Sequence, residues 1–197
     1  NTRMITVKRL KEFKAKQEKI TMLTCYDATF ASLLDHCGIE ILLVGDSLGM
    51  VIQGHTSTLP VQLQDICYHT ACVARATKEA LILADLPFGS YESNKEQAFS
   101  AATQLMKAGA NMVKLEGGSY QAETMAFLHE RGIPTAGHLG LTPQSFNILG
   151  GYKVQGKTEQ DSERLLQDAK VLEQAHADLI ILECIPQQLA AKITQTV

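Results

Sequence analysis

Three acidic residues, Asp46, Asp85 and Glu116, each stand at the end of a short run of β-forming residues: IEILLVGD (39–46), ALILADLP (80–87) and NMVKLEGG (111–118). Neighbouring strands lie about 5 Å apart, so carboxylates at their ends are able to converge on one hard divalent ion. With no Cys or paired His among them, Mg2+ is favoured over Zn2+. One such acid alone reads as a helix cap or a partner for a nearby Lys or Arg; three in alignment weigh against that. Glu183, isolated at the end of DLIILECIP (178–186), is the candidate general base, or else a partner in a structural salt bridge. Lys114 lies two residues before Glu116, on the same strand face, and offers either a fixed cation for a developing oxyanion or an ion pair with Glu116. His138, within IPTAGHLG (133–140), is either a ligand donor or a structural imidazole.

The elements that must position these groups follow one grammar. With ITMLTCYD (20–27), six apolar runs alternate with helical stretches. Each run is nearly continuous and bounded by Gly, Pro or Asp, the pattern of strands buried on both faces. Each ends near a polar residue, Asp27 included, which suggests six strands delivering polar groups to one rim. Between them, helices are expected over 28–38, 61–77, 94–110, 120–131 and 160–177, with a last one opening at Pro186 and a solvated basic helix within 1–19. Residues 47–60 form a long polar connection. Strict alternation gives either an open doubly wound sheet or a (βα)8 TIM barrel. Helices of similar length and polar residues at every strand end favour the barrel, of which this chain supplies about six βα units in a single domain, 1–197.

The 197 residues carry a net charge of -3, with both signs dispersed, which points away from nucleic acid and from acidic membrane surfaces. No apolar run approaches the roughly 20 residues that cross a bilayer, and the first 19 residues have no signal-peptide core. The chain reads as soluble and cytoplasmic. Five cysteines without CxxC spacing read as free buried thiols. Gly151 to Thr158, GYKVQGKT, matches the phosphate-loop pattern GxxxxGK[ST]; no β-run leads into it, so the match reads as coincidence.

The blocks GDSLGM (45–50), GHTSTLPV (54–61), LADLPF (83–88), NMVKLEGG (111–118), GHLGLTPQS (137–145), GGYKVQG (150–156) and LECIP (182–186), in this order, resemble the ketopantoate hydroxymethyltransferase family. The resemblance implies a (βα)8 barrel that uses Mg2+ and moves a one-carbon unit from 5,10-methylenetetrahydrofolate onto 3-methyl-2-oxobutanoate, in pantothenate biosynthesis. It implies Asp46, Asp85 and Glu116 as metal-site acids. Asp46, Ser47, Asp85, Lys114 and His138 are then contacts for the keto acid, and Glu183 is the proton acceptor. It further implies a homo-oligomer, a large ring of dimers. The family continues past Val197 with two more strands, so the expectation is part of a longer enzyme or an inactive shortened form. A related Mg2+-dependent lyase or mutase of 2-oxo acids is the competing enzyme class, though its cysteine-bearing loop is not apparent.

Overall fold

A computed structural model describes residues 4–197 of the chain. In order, the elements are α1 (Val7–Ala15), β1 (Met22–Thr24), α2 (Ala28–His36), β2 (Ile41–Val44), α3 (Leu48–Val51), α4 (Leu63–Ala76), β3 (Leu81–Asp85), α5 (Lys95–Ala108), β4 (Met112–Glu116), α6 (Ala122–Glu130), β5 (Thr135–Gly140), α7 (Phe146–Leu149), α8 (Glu159–Gln174), β6 (Leu179–Glu183) and α9 (Gln187–Thr196). Helix starts carry the caps that their residue types dictate. The Asn94 side chain accepts from the Gln97 N–H at 2.7 Å to open α5, and Thr158 accepts from Asp161 N–H to open α8.

All six strands are parallel and paired in the order β1-β2-β3-β4-β5-β6. Sequential order without a reversal is what separates a barrel from a doubly wound sheet, since right-handed crossovers then place every helix on one face. The sheet curls, and the architecture is that of a partial TIM barrel. Its outer face meets the helices in one continuous core running from Leu42 and Val44 through Ala84, Val113 and Leu115 to Leu172 and Leu189. The inner face carries a second cluster, Ile41, Leu81, Leu83, Met112 and Ala136.

Register fixes which side chains share that inner face. Leu83 pairs with both Leu43 and Met112; Asp85 pairs with Lys114, which pairs with Ala136; and Glu116 pairs with His138, which pairs with Ile181. Side-chain direction alternates along a strand, so these partners all point inward, aliphatic below and polar above.

Three expectations are corrected here. The outer strands are not buried on both faces: Leu23 in β1 is 47% exposed and β6 is only half-buried throughout, because each borders the sheet on one side alone. The N-terminal helix is not merely solvated. Its Leu10 is buried against Ile41, Leu81, Leu83, Met112 and Ala136, and so closes the foot of the inner face; residues 1–3 of that expected helix lie outside the described residues. The connection after Asp46 is not irregular throughout, since α3 lies within it. Truncating Leu10 to Ala should cost about 2–4 kcal/mol through the cavity it leaves, read as a lower urea midpoint, whereas Lys8→Ala on the exposed side of α1 should change it little.

Candidate active site

The strand ends place Asp46, Ser47, Asp85, Lys114, Glu116, His138 and Glu183 around one cavity of about 370 Å³. Seven side chains singled out from sequence therefore meet in one place. Asp27 does not join them. It lies three residues beyond β1, and its carboxylate accepts from the Phe30 N–H at 2.7 Å as the N-cap of α2. Tyr26 takes its place: its hydroxyl shares a 2.5 Å hydrogen bond with Ser47 Oγ, fixing the serine beside Asp46.

The cavity is organised by its charges. Asp85 Oδ2 accepts from the Asp46 backbone N–H at 2.8 Å, and Lys114 Nζ lies 3.1 Å from Asp85 Oδ1 as a buried ion pair outside hydrogen-bonding alignment. The alternative offered from sequence, an ion pair of Lys114 with Glu116, gives way to one with Asp85, its register partner across the sheet. Asp46 Oδ2 accepts from Gln144 Nε2 at 2.9 Å, and Glu116 Oε2 from the Gln144 backbone N–H at 3.0 Å. Lys114 Nζ also approaches His138 Nδ1 at 2.9 Å. An ammonium only donates, so Nδ1 accepts and the imidazole proton belongs on Nε2, which faces Glu183 Oε2 at 2.8 Å. Glu183 is the open member of the set, its side chain 40% exposed.

Burial, followed by the neighbouring Asp85 charge, pushes Asp46 up to about 7. Burial, with the Asp46 charge beside it, pushes Glu116 up to about 8 against the Lys114 charge and the Gln144 N–H, which oppose it. Burial alone would depress Lys114, but Asp85, Glu116 and Asp46 outweigh it and hold the ammonium above its usual range. Burial and the Lys114 charge lower His138, in agreement with a neutral ring.

Each of the three inner acids has one oxygen held by an N–H and the other left over. Asp85 Oδ1 is buried without a hydrogen bond. Carboxylate oxygens without a hydrogen bond in a buried site suit a hard, oxygen-seeking divalent ion. Among the described residues no three His, Cys, Asp or Glu side chains form a ready-made cage. The donor set therefore fits an ion that takes one or two carboxylates and completes its shell with water and substrate oxygens.

Several groups at the site carry no charge and no strand position, and sequence reasoning passed over them. Gln144, Tyr91 and Gln121 are buried around Glu116; the Tyr91 hydroxyl donates to Gln144 Oε1 at 2.5 Å and accepts from the Glu116 N–H at 3.2 Å. Only the block GHLGLTPQS held a signal for Gln144. Gly140, at φ 89° and the register partner of Glu183, clears the way for β6, since a Cβ there would collide with the Glu183 carbonyl oxygen. The GYKVQGKT stretch follows α7 rather than a strand, and its Gly156 N–H donates to Asp161 Oδ2 at 2.6 Å, which makes it a helix-capping loop.

Comparison with known proteins decides the family. The family described as Ketopantoate hydroxymethyltransferase matches residues 4–197. The chain belongs to this family. It is similar to 3-methyl-2-oxobutanoate hydroxymethyltransferase of Chromobacterium violaceum, at 60% identity over 98% of this chain and 73% of that protein. The same enzyme of Neisseria gonorrhoeae strain NCCP11945 is 58% identical with the same coverage. Among solved structures, phosphonopyruvate hydrolase in complex with oxalate and Mg2+ superposes with a TM-score of 0.70 at 12% identity, over 97% of this chain and 67% of that one. A 2,3-dimethylmalate lyase of the PEP mutase/isocitrate lyase superfamily gives 0.69 at 13%, over 98% and 66%. These two share the fold. The hydroxymethyltransferases share more than half of the sequence, which settles the choice between transferase and lyase families.

For this member of the ketopantoate hydroxymethyltransferase family the buried acids set a pH dependence. Asp46 and Glu116 titrate near 3.8 and 4.5 in the unfolded chain and near 7 and 8 when folded. The folded state thus keeps protons that the unfolded state has released, and stability falls as pH rises until both acids have ionised. His138, shifted the other way, opposes this trend only below its ordinary 6.5. In a chelator, the thermal midpoint should therefore drop between pH 6.5 and 8.5, and Asp46→Asn should flatten that slope.

Proposed function

We propose that these residues carry out hydroxymethyl transfer from 5,10-methylenetetrahydrofolate to 3-methyl-2-oxobutanoate, giving ketopantoate with Mg2+ as the metal. Residues 1–197 act as a single domain contributing six of the barrel's βα units, in a cytoplasmic homo-oligomer. Family membership supports the transfer, and the observation that carries the residue assignments is the meeting of Asp46, Asp85, Glu116, Lys114, His138 and Glu183 in one cavity.

The hydrogen on C3 of the keto acid is too weakly acidic to leave unless negative charge on the neighbouring ketone oxygen is stabilised. Asp46, Asp85 and Glu116 would hold Mg2+, directly or through water, and the ion would supply positive charge where negative charge develops. Lys114, locked by Asp85, adds a second fixed cation on the same wall. Ser47, oriented by Tyr26, offers a hydroxyl to the substrate. Glu183 removes the C3 proton; its half-open position gives it access to a substrate in the mouth, and His138 Nε2 lies 2.8 Å from one of its oxygens. Water releases the folate-borne methylene at the aldehyde level, both C–N bonds breaking as the tetrahydrofolate nitrogens take up protons, and the C3 carbanion adds to that carbon, forming the carbon-carbon bond and the new hydroxyl.

Proton abstraction is measurable without folate. In deuterium oxide with Mg2+, 3-methyl-2-oxobutanoate should lose its C3 proton signal. Glu183→Gln should slow that exchange by about 10²–10⁴-fold while leaving keto-acid binding measurable by calorimetry, and a chelator should stop it. Undiminished exchange in Glu183→Gln would remove the base from its assigned role.

A further inference from the structure

Gln144 belongs to the 3-10 turn Pro143–Ser145 that follows β5, yet its side chain and backbone reach the ends of β2, β3 and β4 together. Its Nε2 carries two hydrogens: one goes to Asp46 Oδ2 at 2.9 Å, the other to the Leu86 carbonyl at 3.0 Å. Its Oε1 accepts the Tyr91 hydroxyl at 2.5 Å, and its backbone N–H donates to Glu116 Oε2 at 3.0 Å. Both amide hydrogens are thus used, and the orientation of the amide is determined. A flipped amide would set its oxygen against a carboxylate and a carbonyl and leave the Tyr91 hydroxyl facing an NH2. Tyr91 completes a closed loop by accepting the Glu116 N–H at 3.2 Å.

We propose that Gln144, with its amide locked by Tyr91, is a positioning residue that determines which oxygen of Asp46 and which of Glu116 is presented to a divalent cation. The proposal rests on the reading of those acids as cation ligands. Asp46 and Glu116 are both buried against the same cavity, and their mutual repulsion, when ionised, would turn the carboxylates apart. Gln144 opposes this by occupying Asp46 Oδ2 and Glu116 Oε2, so Asp46 Oδ1 and Glu116 Oε1 stay in the cavity. The backbone bond to Glu116 is independent of the side chain; the bond to Asp46 is not. Removing the amide therefore frees one ligand and spares the other. Such a partner acts as an outer-shell orienter does for ligands in metal sites generally.

Mg2+ titration of the metal-free chain by calorimetry, with Mn2+ paramagnetic resonance as a second readout, tests this without any turnover. Gln144→Met, similar in length and lacking both donors, should weaken cation affinity about tenfold, the size of one charge-assisted hydrogen bond. Tyr91→Phe keeps the donors but releases the amide orientation, and should weaken it by about threefold, within the range of one neutral hydrogen bond. It also tests the idea should Gln144→Met fail to fold. Lys8→Ala should bind as the parent does. Parent-like affinity in a folded Gln144→Met or Tyr91→Phe protein, with only the thermal midpoint lowered, would overturn the positioning role and leave the cation reading intact. A parent chain without Mg2+ or Mn2+ affinity would overturn the cation reading and this proposal with it.

Discussion

Three buried carboxylates and a single ammonium share one cavity, with the half-open Glu183 at its mouth, and most of the structure around it answers to that imbalance. Lys114 cannot neutralise Asp46, Asp85 and Glu116 together. Desolvating a carboxylate is costly unless charge or hydrogen bonds replace the lost water. Asp85 receives the ammonium and a backbone N–H, and the other two acids receive neutral donors and hold their protons to higher pH. A site tuned in this way is poised to accept a further positive charge. It also destabilises the fold until that charge arrives, so stability must come from elsewhere. The aliphatic layer beneath, closed at its foot by Leu10, and the helix-side core supply it.

The polar layer sits above the aliphatic one because of register, with no help from the loops. Going round the sheet, Leu43, Leu83 and Met112 share one inner row, Asp85, Lys114 and Ala136 the next, and Glu116, His138 and Ile181 the one above. A slip of one residue in any strand would turn its inner side chains outward and send a charge into the helix-side core. Apolar pairing in the lower rows thus fixes the alignment of the charged pairs in the upper rows.

That dependence also explains what could be read from sequence. Asp46, Asp85, Lys114, Glu116, His138 and Glu183 were legible because each lies on or just past a short apolar run, where a period of two says which side it faces. Asp27 looked the same in a list of strand ends and differs in space: two residues, Cys25 and Tyr26, separate it from β1, so strand alternation no longer governs it and the helix that follows takes its carboxylate. Tyr91 carried no legible signal and Gln144 none beyond its place in the block GHLGLTPQS, since uncharged polar residues in loops are common and their significance lies in partners many residues away. Leu10 was masked by the lysines around it, although Val7, Leu10 and Phe13 recur at helical spacing and Val7 packs on the same cluster. Alternation left an open sheet and a barrel, and the polar residues at every strand end tipped the reading to the barrel; the exposure of β1 and β6 followed from their place at the sheet's two sides, which no local pattern reports.

The pairing of Lys114 shows how much turns on geometry beyond type and spacing. From sequence, Glu116 is its near neighbour on the same face of the same strand, at i+2. Residues two apart on a strand are separated by about 6.5–7 Å of rise, whereas register partners on adjacent strands lie about 5 Å apart. Lys114 therefore goes to Asp85, and Glu116, left without a cation, lies beside its own register partner His138 and takes the backbone N–H of Gln144. His138 cannot relieve it by protonating, since the Lys114 ammonium already faces Nδ1. The electrostatic deficit that makes Glu116 fit to hold a cation thus arises from which strand lies beside which, and the same contact turns the remaining imidazole proton toward Glu183.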